Sequence, residues 1–382
     1  MKIRFTLTRV ASVVLMAGVL AISVTGKSAF GQQPALKNAY KNDFLIGVAI
    51  NQRQFTGQDT NGAALVKAQF NSISPENVLK WEAVHPRPGA DGYNFDPADR
   101  YVEFGEKNGM AIIGHTLVWH SQTPRWVFQG DGTNALDRDT LLQRMRDHIH
   151  TVVGRYKGRI KGWDVVNEAL YDNGTLRQSQ WLKIIGEDYI AKAFEYAHEA
   201  DPDAELHYND YSLETEAKRN GAIALIKKLQ GQGIHVTGIG SQDHVKMDWP
   251  TTEQVDATLT ALGKLGVKVM ITELDVDVLS ARGQNRSADV AEVQRQTTPN
   301  IYTNGLPDSV QQALAQRYAD LFGVFLKHRD VVSRVTFWGV TDGDSWLNRG
   351  RQNHPLLFDR KWQPKPAFDA LIEAARKAGG GR

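Results

Sequence analysis

The sequence predicts an α/β protein built as a single (β/α)8 TIM barrel. Three observations predict it. Eight short apolar runs alternate with longer amphipathic stretches over almost the whole chain. The runs are continuously apolar rather than alternating, as in parallel strands covered on both faces. Polar and aromatic residues collect at the C-terminal ends of the runs, where barrel enzymes build their sites. The competing open, doubly wound sheet calls for a glycine-rich phosphate turn after the first strand, and "VAINQRQFTG" is not one.

The eight expected strands are residues 44–49, 69–74, 110–116, 160–166, 205–209, 236–241, 267–272 and 334–339. Between the third and fourth, Leu141, Leu142, Met145, Ile149, Val152 and Val153 recur at helical spacing. After the sixth, Thr251 and Gln254 form a capping box before "VDATLTALGKLG", which closes at Gly266. A last helix is expected over residues 366–377. The segment after the seventh strand, "LSARGQNRSADVAEVQRQTTPNIYTNGLP", is long and polar, and reads as a loop on the active-site side.

The first 31 residues have the layout of a secretory signal peptide: Lys2, Arg4 and Arg9, an apolar run over residues 10–24, and small residues Ala29 and Gly31 at the expected cut. Residues 32–382 are then one catalytic domain, exported, with no membrane attachment after cleavage. The full chain carries 45 basic and 43 acidic residues; without the four basic residues of the leader the balance is 41 to 43. The excess of positive charge belongs to the leader, so nothing points to a nucleic-acid partner. There is no cysteine, which excludes disulfides, thiol catalysis and thiolate metal sites. A monomer is expected.

The strand ends supply a consistent rim. The second leads to Glu76, Asn77, Lys80 and Trp81; the third to His115, Trp119, His120 and Gln122. The fourth ends in Asn167 and Glu168, the fifth in Asn209 and Tyr211, and the sixth in Gln242 and His244. The seventh ends in Glu273 and Asp275, and the eighth leads to Trp338 and Trp346. Glu168 and Glu273 face each other across the barrel mouth, as glycoside hydrolysis requires of its two carboxylates. Tryptophans offer flat apolar faces to sugar rings. A metal site is not expected, since His115 and His120 are five apart on extended chain and start on opposite faces. His148 and His150 are expected to be solvated. No cofactor is implied.

Seven stretches, in order, closely resemble glycoside hydrolase family 10, the endo-1,4-β-xylanases: "SPENVLKWE", "GHTLVWHSQTPRW", "WDVVNEAL", "YNDYSLE", "GIGSQDH", "ITELDV" and "FWGVTDGDSWLN…PLLFDRKWQPKPAF". The resemblance runs from about residue 36 to the end. It implies a retaining enzyme acting on xylan and xylo-oligosaccharides, with Glu168 as general acid/base and Glu273 as nucleophile. It implies that His244 and Asp275 keep Glu273 ionised and oriented. Asn167, His115 and Gln242 are then ligands of the sugar at the cleavage point, and Glu76, Asn77 and Lys80 of the next sugar out. Trp119, Trp338 and Trp346 are aromatic walls, Gln122 and Trp346 crowd the space of a hydroxymethyl group, and Tyr211 lies on the leaving-group side. Ser212 stands where the family often has Asn. A β-1,4-glucanase on the same scaffold is the neighbouring alternative. A non-catalytic glycan-binding barrel would be expected to lack one of the glutamates.

Overall fold

A computed structural model of the chain describes residues 1, 34–130, 136–279, 288–289 and 300–379. The expected leader lies outside these residues apart from Met1, as does most of the polar loop after the seventh strand. The strands are β1 Leu45–Ile50, β2 Ser72–Pro75, β3 Ala111–Trp119, β4 Gly162–Asn167, β5 Glu205–Asp210, β6 Gly238–Ser241, β7 Lys268–Asp277 and β8 Val332–Phe337. After two residues β6 resumes as a short segment, His244–Lys246, still paired with β7. Every pairing is parallel. β1 bonds to both β2 and β8, and β6 bonds to β7, so the ring closes.

One main helix follows each strand: α1 Thr60–Gln69, α2 Asp96–Lys107, α3 Arg138–Arg155, α4 Tyr189–Ala200, α5 Glu216–Gly231, α6 Thr252–Leu262, α7 Asp308–Lys327 and α8 Pro366–Gly379. The capping box at Thr251 and Gln254 is formed in both directions, at 3.3 and 2.9 Å. Gly266 ends the following turn at φ 70°, a left-handed position that glycine adopts without strain.

Packing follows the sequence periodicity. On α7, Leu314, Tyr318, Leu321, Phe322 and Phe325 are wholly buried, one stripe against the barrel. Phe322 stacks on Phe337 of β8 with ring centres 6.0 Å apart. Each such buried side chain contributes about 1.5–3 kcal/mol relative to exposure. Where β3 meets β4, a Cβ on Gly114 would stand 2.1 Å from the Trp163 indole, so only glycine lets this core ring lie flat on the strand.

Two expectations are corrected. β3 and β7 run on to Trp119 and Asp277. The polar residues that suggested strand ends are carried by strands that continue into the barrel mouth, where hydrogen bonds replace apolar burial. His148 is not solvated. It is fully buried, its ring parallel to that of Trp81 at 3.6 Å, and burial holds its pKa well below that of an ordinary histidine. It sits on the inner face of α3, two residues from His150, which lies 3.1 Å from Glu199.

Candidate active site

The strands deliver their functional residues through strained elbows. Among the described residues, five non-glycine residues have positive φ, and four follow the ends of β3 to β6: Gln122 at 44°, Glu168 at 57°, Ser212 at 52° and Asp243 at 56°. Such conformations cost of order 1–3 kcal/mol each and persist only where surrounding contacts hold them. At Glu168 the contact comes from the neighbouring strand, its N–H donating to the Asn209 carbonyl at 2.9 Å, and at Gln122 the carbonyl accepts from the Glu82 N–H at 2.9 Å.

Glu168 is buried at the end of β4. Its Oε2 accepts from Trp119 Nε1 at 2.9 Å, and its Oε1 from Gln242 Nε2 at 3.0 Å and Asn167 Nδ2 at 3.3 Å. Burial raises its pKa above that of an ordinary glutamate and the charge of Glu273 adds to this, while the Gln242 and Trp119 donors oppose. Burial, not the neighbouring charge alone, is the main cause of its affinity for a proton.

Glu273 on β7 is as deeply placed but behaves oppositely. Asn209 Nδ2 donates to its Oε1 at 2.8 Å, and His244 Nε2 lies 3.1 Å from its Oε2. Burial pushes its pKa up, but the His244 bond and the charges of His115, His244 and Lys80 outweigh that and hold it below the usual range. His244 is itself ion-paired with Asp275 at 3.1 Å. Burial works against its charge, yet the two carboxylates raise its pKa to about 10. Trp346 Nε1 fixes the other oxygen of Asp275 at 2.7 Å. Two glutamates at one mouth thus have environments that push their proton affinities apart, the arrangement that assigns one as acid and the other as anion.

These groups line a cleft of about 450 Å³. Glu76, Asn77, Lys80, His115, Trp119, Gln122, Asn167, Gln242, Trp338 and Trp346, all singled out in the sequence, share it with the two glutamates and His244. Lys80 Nζ donates to Asn77 at 3.1 Å and to Gln122 at 3.0 Å, and stands 5.1 Å from the centre of the Trp119 ring. His115 is oriented by Asp164 at 3.0 Å, a carboxylate that also faces His207.

Two expected residues stand behind the cleft rather than on it. Asp275, expected only as a support of Glu273, meets His244 at 3.1 Å. Tyr211 is buried, its ring under the Lys218 ammonium and its hydroxyl accepting from Arg177 at 2.7 Å. Arg177 in turn donates to the Glu168 carbonyl at 3.1 Å and pairs with Asp289, beside Ala288 on the cleft wall.

Asn209 was legible at the rim, but its role was not. Its amide bonds Asn167 at 2.9 Å as well as Glu273, and Thr272 fixes its oxygen at 2.6 Å, so it ties the two glutamate-bearing strands together. Arg349 also lines the cleft, from a turn after Trp346 that carries no sequence pattern.

The comparisons with known proteins agree with this geometry. The model of glycosyl hydrolase family 10 matches residues 35–374. A β-1,4-xylanase of Dictyoglomus thermophilum is 42% identical over 346 residues, covering 89% of this chain and 91% of its own. Endo-1,4-beta-xylanase A of Xylanibacter ruminicola is 42% identical over 346 residues, covering 89% and 93%. The solved structure of an endoxylanase of the same family, from a sugarcane soil metagenome, superposes with a TM-score of 0.85 at 45% identity, covering 89% of this chain and 99% of that one. With the family match spanning most of the chain and relatives aligned over nearly their full length, this protein belongs to glycosyl hydrolase family 10.

Proposed function

We propose that the protein is an endo-1,4-β-xylanase that cuts internal bonds of xylan and xylo-oligosaccharides with retention of configuration. One observation carries the reading: Glu168 and Glu273 share one cleft, but the first is held toward its protonated form and the second toward its ionised form. The naming of its relatives as xylanases supports the choice of substrate.

In the first step Glu273 attacks the anomeric carbon, the glycosidic C–O bond breaks, and the Glu168 proton passes to the leaving oxygen. In the second, Glu168 takes a proton from water, the oxygen attacks the same carbon, and Glu273 departs. His244 steadies the negative charge that Glu273 carries before and after the covalent intermediate. The layout of residues 1–31 supports export as the setting for a polymeric substrate.

The test is hydrolysis of xylan and cellulose side by side, with NMR of the first product. Xylan cut much faster, releasing the β-anomer, is the expected result. Release of the α-anomer first would overturn retention, and an equal rate on cellulose would overturn the substrate.

A further inference from the structure

A chain of xylose units carries no charge, so hydrogen bonds and flat rings are enough to hold it. The cleft nevertheless presents a cation that the protein does not neutralise. Arg349 follows the short turn Trp346–Asn348 and lines the cleft beside Trp346. Its Nε donates to the Trp346 carbonyl at 3.1 Å, and its guanidinium carbon stands 5.4 Å from the centre of the Trp346 ring. That ring is itself fixed, since Trp346 Nε1 donates to Asp275 at 2.7 Å. These contacts hold the guanidinium in place and leave both Nη groups without a hydrogen-bond partner among the described residues.

The charged groups around it are committed elsewhere. Lys80 donates to Asn77 and Gln122 and lies among the charges of Glu273, Glu76 and Glu168. Arg351 pairs with Asp277 at 3.6 Å and donates to the Leu347 carbonyl at 3.0 Å. Arg360 donates to Asn348 Oδ1 and to the carbonyls of Asp342 and Asn353. Asp344, the carboxylate of the same turn region, accepts from Asn51, Gln54 and Thr341. Among the described residues no carboxylate stands within ion-pair distance of Arg349. Partial burial, and then the charge of Arg351, work against its own charge. An anion arriving with the substrate would relieve both.

Shape and position narrow the choice of anion. With Nε occupied, the free edge of the guanidinium offers two N–H donors in a planar fork, the geometry that matches a carboxylate. Arg349 shares its side of the cleft with Lys80, on which its charge acts. That is the side expected to hold the sugars of the glycone, away from Tyr211. We infer that Arg349 binds the carboxylate of an acidic sugar branch on the xylan chain, a uronic acid attached to a xylose of the glycone, and so favours cutting beside such a branch. The inference rests on the xylanase reading above and deepens it.

The test compares two branched xylo-oligosaccharides that differ at one group. One bears a uronic acid, and in the other that carboxyl is reduced to the neutral sugar. Size and linkage are kept, so the ratio of kcat/KM between them reads the charge. In the native protein at low salt the acidic substrate should be preferred by about threefold or more, and added salt should weaken the preference. Arg349→Gln should bring the ratio close to one. Arg349→Glu should push it below one, whatever either change does to the absolute rates.

Product analysis tests the placement: the fragment with the new reducing end should be the one that carries the acidic branch. A ratio of one in the native protein, or a preference that survives Arg349→Gln, overturns the contact. An acidic branch found only on the other fragment overturns its position. If neither oligosaccharide is hydrolysed, the xylanase reading fails. The Kd of each for the native protein and for Arg349→Gln, measured by calorimetry, then still decides whether Arg349 selects the acid.

Discussion

His244 stands between Glu273 and Asp275 with one ring nitrogen 3.1 Å from each carboxylate. With its pKa raised to about 10 it is an imidazolium across the neutral range, a fixed cation beside the expected nucleophile. It helps hold Glu273 ionised: its bond and charge, with the charges of His115 and Lys80, outweigh the cost of burial. Removing it leaves only the charges of His115 and Lys80 to oppose burial, so the Glu273 pKa rises. His244→Ala should therefore lower kcat/KM on the order of 10²-fold, the usual effect of losing one preorganised donor. The acidic limb of the pH–rate profile should move to higher pH. A limb that keeps its position would show that another group sets the ionisation of Glu273.

The two glutamates should separate cleanly by role. In a retaining site the carboxyls stand roughly 5–5.5 Å apart, too close to admit water between them. On an aryl xylobioside with a good leaving group, Glu168→Ala should form the glycosyl intermediate and then stall, giving a burst. Azide should restore turnover and yield a β-glycosyl azide. Glu273→Ala should show no burst on any substrate. Equal loss in both variants, with neither burst nor rescue, would refute the roles.

Discrimination between xylose and glucose is expected at Gln122 and Trp346, which share the cleft wall with Lys80. Glucose carries a hydroxymethyl group that xylose lacks, and steric exclusion is one way to reject a larger partner. Replacing both residues with smaller ones should narrow the xylan-to-glucan ratio of kcat/KM by about tenfold or more, the scale of one small group in a tight pocket. The ratio, measured on both polymers, locates the wall.

Lys365 anchors the turn that presents Trp346. Its ammonium is buried and bonds both Asp342 oxygens, at 3.1 and 3.0 Å, and the carbonyls of His354 and Leu356. Lys365→Met would leave Asp342 buried without its counter-ion. The expected cost is about 3–5 kcal/mol, read as a lower midpoint in denaturant unfolding.

Export predicts a mature N-terminus at or next to Gln32. Mass spectrometry of protein recovered outside the cytoplasm measures it directly, and an intact Met1 would remove the leader from the account.

The barrel was readable because its signal is local and repeated. Continuous apolar runs mark strands buried on both faces, and the helical stripe of Leu141, Met145 and Ile149 recurs wherever a helix must cover them. The paired glutamates were readable because strand ends converge on one rim in this fold. The sequence alone therefore determined the architecture, the two carboxylates and most of the cleft lining. The resemblance implied which glutamate keeps its proton but not the physical cause, which lies in burial and in groups from other strands: Trp119 and Gln242 beside Glu168, Asn209 and His244 beside Glu273. Nor did it show that His148 stacks on Trp81, or that Tyr211 lies behind the cleft against Arg177. Periodicity reports which face of an element is buried. Only tertiary structure decides which distant side chains meet there, and it is these meetings that set charge.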